Sequence, residues 1–281
     1  DRGVCYALFA YEVGHAIDLD ECERRVTALT QRVNLRHKRR APRYFAYRPA
    51  PLRVTQEAEP LAVGAYQTAP SVDVLLFDFG AVSVTYTIPF AGALGDVLGL
   101  SDALYDHAGL LADARRRVAQ LVADVHPAVT RPGLADFVEP YAIFQIEAFT
   151  EPCAPAELYT THGHALAQIL LSEQGALSAQ EVSDALSCRI AFGPEDLAVI
   201  GWDAALLVDR DGDDVRDVLE FANVELLEMR YLDQQLDDAL TESYEALSRR
   251  TWAGRLPRPS ARADLRRIGQ LQVDGAILFE G

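Results

Sequence analysis

Apolar and polar positions along the chain change period from two to about 3.6 and back, and the changes predict where strands and helices lie. Residues 4-VCYALFAYEV-13 are rich in β-formers and predict a strand. In 18-DLDECERRVTALTQRV-33 the apolar positions Leu19, Cys22, Val26, Leu29 and Val33 have helical spacing, with Asp18 or Asp20 as the cap. Two extended pieces follow, 44-YFAYR-48 and 61-LAVGAY-66, separated by a proline-rich loop. In 72-VDVLLFDFGAVSVTYTI-88 two apolar runs flank Phe79-Gly80, which predicts a bend between strands.

The 3.6 period returns in 101-SDALYDHAGLLADARRRVAQLVADV-125, predicted as one helix opened by Ser101 and closed before Pro127. A strand over 140–149 places Ala142, Phe144, Ile146 and Ala148 on one face, and Pro155 opens a helix through Gly175. From Ser178 onward the pattern predicts helix nearly to the end. There the series Leu219, Leu226, Asp233, Leu240, Leu247 and the series Ala222, Met229, Leu236, Ser243 each repeat every seven residues, interrupted by Asp233 and Ser243. Leu219, Ala222, Leu226, Met229, Leu236, Leu240 and Leu247 thus form a heptad seam, as in a helical hairpin or short coiled coil.

These elements predict an α+β fold, a mixed sheet with flanking helices followed by a helical, partly coiled-coil C-terminal region. Three regions follow: an α+β domain over 1–175, a helical region with the seam over 176–250, and a linker over 251–281. The chain begins at Asp1 without methionine and stops inside the apolar run 275-GAILFEG-281, so it reads as a piece of a longer protein. No apolar run is long enough to span a membrane. The cysteines Cys5, Cys22, Cys153 and Cys188 form no C-x-x-C pair, which fits buried thiols in a reduced, cytoplasmic setting.

Charge changes the picture more than composition does. The net charge of −16 argues against nonspecific nucleic-acid binding over the whole surface. Its distribution is uneven: Arg24 to Gln56 holds ten basic residues and no acidic ones, whereas Glu173 to Glu245 holds nineteen acidic and four basic residues. Self-association, or the docking of one end on an anionic surface, follows from that asymmetry. The basic segment with Arg36, Lys38, Arg39, Arg40, Arg43 and Arg48, interleaved with Tyr44, Phe45 and Tyr47, is the candidate contact for RNA or another anion. A contact with the acidic half, within the chain or on a neighbour, is the favoured reading.

The stretch 208-VDRDGDDVRDVLE-220 carries the strongest candidate chemistry. A twelve-residue calcium loop uses side chains at positions 1, 3, 5, 9 and 12 with glycine at 6. Counted from Asp209, those positions hold Asp209, Asp211, Asp213, Asp217 and Glu220, a set for Ca2+ or Mg2+. Position 6 is Asp214, however, and the glycine is Gly212 at position 4. The favoured reading is therefore a turn followed by a helix start, with Asp213 or Asp214 as cap and the other acids against the positive helix end. The pair His162 and His164 lies in helical context, where i and i+2 side chains diverge by roughly 200°, so packing or capping is favoured over a metal. The glycines of 90-FAGALGDVLG-99 make no P-loop, no nucleophile motif is present, and Glu139, Glu147 and Glu151 read as surface carboxylates. No catalytic residue is assigned and no cofactor is required.

Several stretches in this order resemble the required-for-meiotic-nuclear-division family, also known as YagE-like: 75-LLFDFGAVSV-84, 164-HALAQILLSE-173 and 219-LEFANVELLEMRYLDQQLDDALTESYEAL-247, with 7-ALFAYEVGHAIDL-19 matching more loosely. The resemblance implies a soluble region ahead of a coiled coil and a membrane anchor outside this chain, homo-oligomers, a link to organellar translation, and no established catalytic residues. The reading is an interaction or scaffold protein that self-associates and sits on the cytoplasmic face of a membrane. A divalent-metal module using the 209–220 carboxylates and an RNA-binding protein using Arg36–Arg48 are the alternatives.

Overall fold

A computed structural model describes residues 1–26, 30–32, 48–150, 155–191, 193 and 196–253. In chain order the elements are β1 (Arg2–Glu12), β2 (Ala16–Ile17), α1 (Leu19–Arg25), β3 (Thr30–Arg32), β4 (Leu52–Glu57), β5 (Ala62–Val63), β6 (Tyr66–Gln67), β7 (Ser71–Leu76), β8 (Ala81–Ala91), α2 (Leu94–Leu104) and α3 (Ala108–Val125). A 3-10 turn (His126–Ala128) leads to β9 (Val129–Thr130), β10 (Val138–Ala148), α4 (Pro155–Thr161), α5 (Gly163–Leu171), α6 (Ala179–Ala185), β11 (Arg189–Ile190), β12 (Leu197–Ile200), β13 (Ala204–Val208) and α7 (Asp213–Ala253).

The α+β architecture matches the sequence pattern. One nine-stranded mixed sheet has the order β11-β12-β13-β10-β1-β8-β7-β4-β3, antiparallel throughout except for the parallel pair β10–β13. The eleven-residue strands β1, β8 and β10 form its middle, with β1 paired along its length to both neighbours. The expected bend at Phe79-Gly80 is the β7–β8 hairpin. Gly80 has φ +108°, and a Cβ there would lie 1.9 Å from the Gly14 carbonyl oxygen, so this turn requires glycine twice over.

Alternation gives the sheet two different faces. One carries Cys5, Ala7, Phe9 and Tyr11 of β1, Val82, Val84, Tyr86 and Ile88 of β8, and Phe144 and Ile146 of β10, all in one continuous apolar core. Helix α3 covers it with Leu110, Ala114, Val118, Leu121 and Val125, and α2 and α5 extend the cover. The other face carries a much smaller apolar cluster, in which Leu8, Tyr141, Ile143, Ala205 and Leu207 meet Leu219 from the start of α7. The chain comprises two compact units, Asp1–Val224 and Glu225–Gly281; the second is described as the remainder of α7 to Ala253.

Several expectations change. The helix predicted over 18–33 ends at Arg25, Val26 is extended, and Thr30–Arg32 pairs with β4; the β-branched Val26 and Thr30 favour that outcome. The predicted loop between 48 and 61 contains β4. The helix of 101–125 is two helices. Asp106 takes a left-handed φ of +53°, Ser101 is buried inside α2 with its hydroxyl donating to the Ile169 carbonyl, and His107 Nδ1 caps α3 by accepting from the Leu110 amide. Likewise 156–175 divides into α4 and α5, closed by Ser172 at φ 50°. The largest change lies between 178 and 212. Among the described residues only α6 is helical there, and 204-AALLV-208 is a buried strand paired on both sides. A short continuous apolar run does not distinguish a buried strand from a helix by period alone.

Candidate functional site

The polar residues of the second face converge. On β8 the sequence 81-AVSVTYTI-88 turns Val82, Val84 and Tyr86 to the apolar core and Ser83 and Thr85 to the opposite side. By the same alternation β4 presents Arg53 and Thr55, β7 presents Asp73, and β1 presents Tyr6. The first turns of α7, residues 213–224, lie over them. Ser83 and Thr85 hydroxyls both donate to Glu220 Oε1, at 2.7 and 2.8 Å, and Glu220 is 2% exposed. Next to it, Arg53 Nη1 donates to Asp73 Oδ2 at 2.9 Å while the Thr55 hydroxyl donates to Asp73 Oδ1 at 2.7 Å.

Asp217 stands one helical turn before Glu220 and is also buried. Its Oδ1 lies 3.7 Å from Arg53 Nη2 and 3.6 Å from Arg216 Nη2, with no hydrogen bond to that oxygen. Burial pushes the Asp217 carboxyl up to about 6; Arg216 and Arg53 pull it down, while Glu220 and Asp213 push it further up. Arg216 is held on three sides: its guanidinium lies 4.8 Å from the Tyr6 ring centroid, 3.1 Å from Asp213 Oδ1 and 3.6 Å from Asp217. The far end of the contact is sealed by Asn223, whose amide donates to the Glu139 carbonyl oxygen at 3.1 Å. The arrangement fixes a helix onto a sheet with charged and hydroxyl groups beside the small apolar cluster around Leu219.

Position decides the fate of each residue singled out from the sequence. The five carboxylates of 209–220 do not converge on one point, although Asp213, Asp217 and Glu220 lie near one another around Arg216. Asp209 Oδ1 accepts from the Asp211 amide in a tight turn, Asp211 and Asp213 are exposed, and Asp217 and Glu220 turn inward onto the sheet. Among the described residues no group of three or more His, Cys, Asp or Glu is arranged to hold a metal ion. The helix start is as the favoured reading had it, with one shift. Gly212 contributes the first helical carbonyl, accepting from the Arg216 amide at 2.9 Å, and Asp213 and Asp214 occupy the first turn. A side chain at 212 would crowd the Gln145 amide, 3.1 Å from the position of a Cβ.

In the basic segment Arg36, Lys38, Arg39, Arg40 and Arg43 lie outside the described residues, and Arg48 is described as exposed. Of the seam, Leu219 belongs to the core of the sheet's second face, Ala222, Met229 and Leu240 are exposed, and Leu226 and Leu236 are half-buried. The side chain of Leu247 lies outside the described residues. His162 precedes α5 without a side-chain cap bond, and His164 Nε2 accepts from the Leu177 amide while its Nδ1 meets Gln168 Oε1, which ties α5 to the loop that follows it. Glu139 is not a surface carboxylate: it is 3% exposed on the second face of the sheet. Cys5 and Cys22 are buried free thiols, whereas Cys188 is an exposed one; Cys153 lies outside the described residues. Tyr6, Arg53, Asp73, Ser83 and Thr85 carried no signal as motifs, although the strict alternation in β8 marks two of them.

An α+β protein with one polar and one apolar sheet face is the class these features define. The chain belongs to the family described as uncharacterized protein MJ0711, N-terminal domain, whose model matches residues 2–214. It is similar to the uncharacterized protein MJ0711 of Methanocaldococcus jannaschii, with 23% identity over 106 residues that cover 37% of this chain and 32% of that protein. The match thus spans about a third of that relative's length. No solved structure matches the chain.

This membership overturns the resemblance to the required-for-meiotic-nuclear-division family. The stretches that suggested it are generic. Residues 75–84 form a hairpin turn rather than one strand, 164–173 is a helix end closed by Ser172, and the heptads of 219–247 lie beyond the matched region. The membrane anchor and the link to translation lose that support. Among the described residues no helix is long and apolar enough to cross a membrane.

Proposed function

We propose that the chain is an interaction protein that self-associates through residues 225–247 of α7. One observation carries the reading: past Val224 the helix continues as a separate unit, with Met229 40% and Leu240 43% exposed at heptad positions. Leu227 and Ala239 of this segment are already buried within the chain, whereas Met229 and Leu240 are not. A helix gains much of its stability from burying its apolar stripe, so a second copy presenting the same positions is the cover proposed for them. The start of the seam has another role, because Leu219 lies in the core of the sheet, and the association element begins after it.

Charge tunes the contact. Residues 225–253 hold seven acids and the three arginines Arg230, Arg249 and Arg250, so like charges oppose pairing and added salt should strengthen it. Sedimentation equilibrium of the chain tests the reading. A dimer or higher species is expected, and Met229→Glu with Leu240→Glu should return it to monomer with unchanged circular dichroism of the α+β unit. A monomer persisting at about 1 mM, where even an association of about 4 kcal/mol would register, would refute it.

A further inference from the structure

We propose that residues 213–224 of α7 form a proton-controlled latch: they close on the second face of the sheet over a cluster in which carboxylates outnumber guanidiniums, so that proton uptake tightens the contact and proton loss loosens it. The device lies wholly within the first unit and does not depend on what the distal helix binds.

The charges facing Asp217 can be read element by element. From α7 itself come Asp213, Arg216 and Glu220; from β4 comes Arg53, which is shared with Asp73 of β7. From β1 comes the Tyr6 ring against Arg216, and from β8 the hydroxyls of Ser83 and Thr85, which face Glu220. Two more buried carboxylates, Glu12 of β1 and Glu139 of β10, lie on the same face beyond them. Around Asp217, then, two guanidiniums meet four carboxylates: Asp73, Asp213, Asp217 and Glu220.

The carboxylates are not equivalent. Asp73 takes the close bond from Arg53 and a hydroxyl from Thr55, and Glu220 takes two hydroxyls. Asp213 meets Arg216 at 3.1 Å with a side chain that is 66% exposed, so water stabilises its charge. Asp217 is the one left with long contacts, 3.6 and 3.7 Å, and a side chain only 9% exposed. A charge at that Oδ1 is buried without a close partner, which favours proton uptake there. Its carboxyl is indeed displaced upward to about 6.

The sign follows from linkage. A carboxyl raised in the folded state binds its proton more tightly there than in the released helix. Docking is strongest below the ordinary value of 3.8 and weakens as pH rises through about 6. The apolar part of the contact is Leu219 and Val215 on Leu8, Tyr141, Ile143, Ala198, Ala205 and Leu207, with the Phe221 ring 6.0 Å from that of Phe77. It holds the helix at every pH, and the titration of Asp217 is superimposed on it.

Hydrogen exchange of the 215–223 amides, corrected for intrinsic rates, reads the latch. In the unaltered chain their opening constant should rise about tenfold between pH 5 and pH 7. Asp217→Asn should abolish the rise. Glu220→Gln, which removes a neighbouring charge that holds the Asp217 carboxyl up, should move the midpoint to lower pH. Opening that is constant or falls across this range overturns the proposal. So does an Asp217→Asn variant with the unaltered slope, or, should that variant fail to fold, a Glu220→Gln midpoint that does not move.

Discussion

The two faces of the central sheet are built from the same strands and closed by different physics. On the face of Phe9, Tyr86 and Phe144, helices α2, α3 and α5 bury aliphatic and aromatic side chains, with isolated polar bonds such as Ser101 to the Ile169 carbonyl and Tyr86 to Asp113 among them. On the face of Tyr6, Ser83 and Ile143, among the described residues, one helix segment meets a mixture of apolar side chains, hydroxyls and ion pairs. Apolar burial is indifferent to pH and tolerant of small shifts, whereas a charged contact depends on protonation and on each partner being present. One sheet therefore carries a permanent side and a conditional side.

The largest expected effect tests that contrast directly. Phe144→Ala opens a cavity in the large core and should cost about 4 kcal/mol, while Leu219→Ala, in the small cluster, should cost about 2 kcal/mol. Urea unfolding measures both. Equal costs would show that the second face is held as firmly as the first.

Glu220 comes next. Replacing it with alanine leaves the buried Ser83 and Thr85 hydroxyls without their acceptor and should cost about 2 kcal/mol. Glutamine keeps an acceptor oxygen and should cost less than about 1 kcal/mol. If alanine and glutamine were equivalent in thermal unfolding, those two hydrogen bonds would not hold the helix.

Much of the permanent face is legible in the sequence, because regular alternation in 72–88 and 140–149 and helical spacing in 108–125 report a core directly. The conditional face is harder to read. Its residues come from β1, β4, β7, β8 and α7, and no two of the charged partners on different elements, such as Arg53 and Asp217, are close in sequence. The acidic stretch 208–220 offered two readings, an ion loop and the start of a helix. Its spacing suggested a loop closing on an ion, but once Gly212 starts a helix, i and i+4 share a side, so Asp213 and Asp217 bracket Arg216 and Glu220 turns to the sheet. The strand 204-AALLV-208 stayed hidden because both its faces are buried and no alternation survives.

The smallest effect is the most discriminating, because the two faces should respond to pH with opposite sign. On the apolar side Asp113 of α3 accepts from the Tyr86 hydroxyl at 2.8 Å and from Arg117 Nε at 2.6 Å, and it also pairs with Arg116. Burial pushes its carboxyl up, but Arg117, Tyr86 and Arg116 together hold it below the ordinary value of 3.8. A lowered carboxyl adds stability that is present above 3.8 and lost as pH falls through its folded value. Asp217 does the reverse: its contribution is present below 3.8 and lost as pH rises through about 6. The windows do not overlap. Asp113→Asn should cost about 1 kcal/mol at neutral pH, and this deficit should shrink only below about pH 4. Asp217→Asn should gain about 1 kcal/mol at neutral pH, and this advantage should disappear between about pH 6 and pH 4. Denaturant titrations of both variants at pH 3.5, 5 and 7 separate the two. If both differences fell in one window, or carried the same sign, the charged contact under α7 would be no more conditional than the core on the other side.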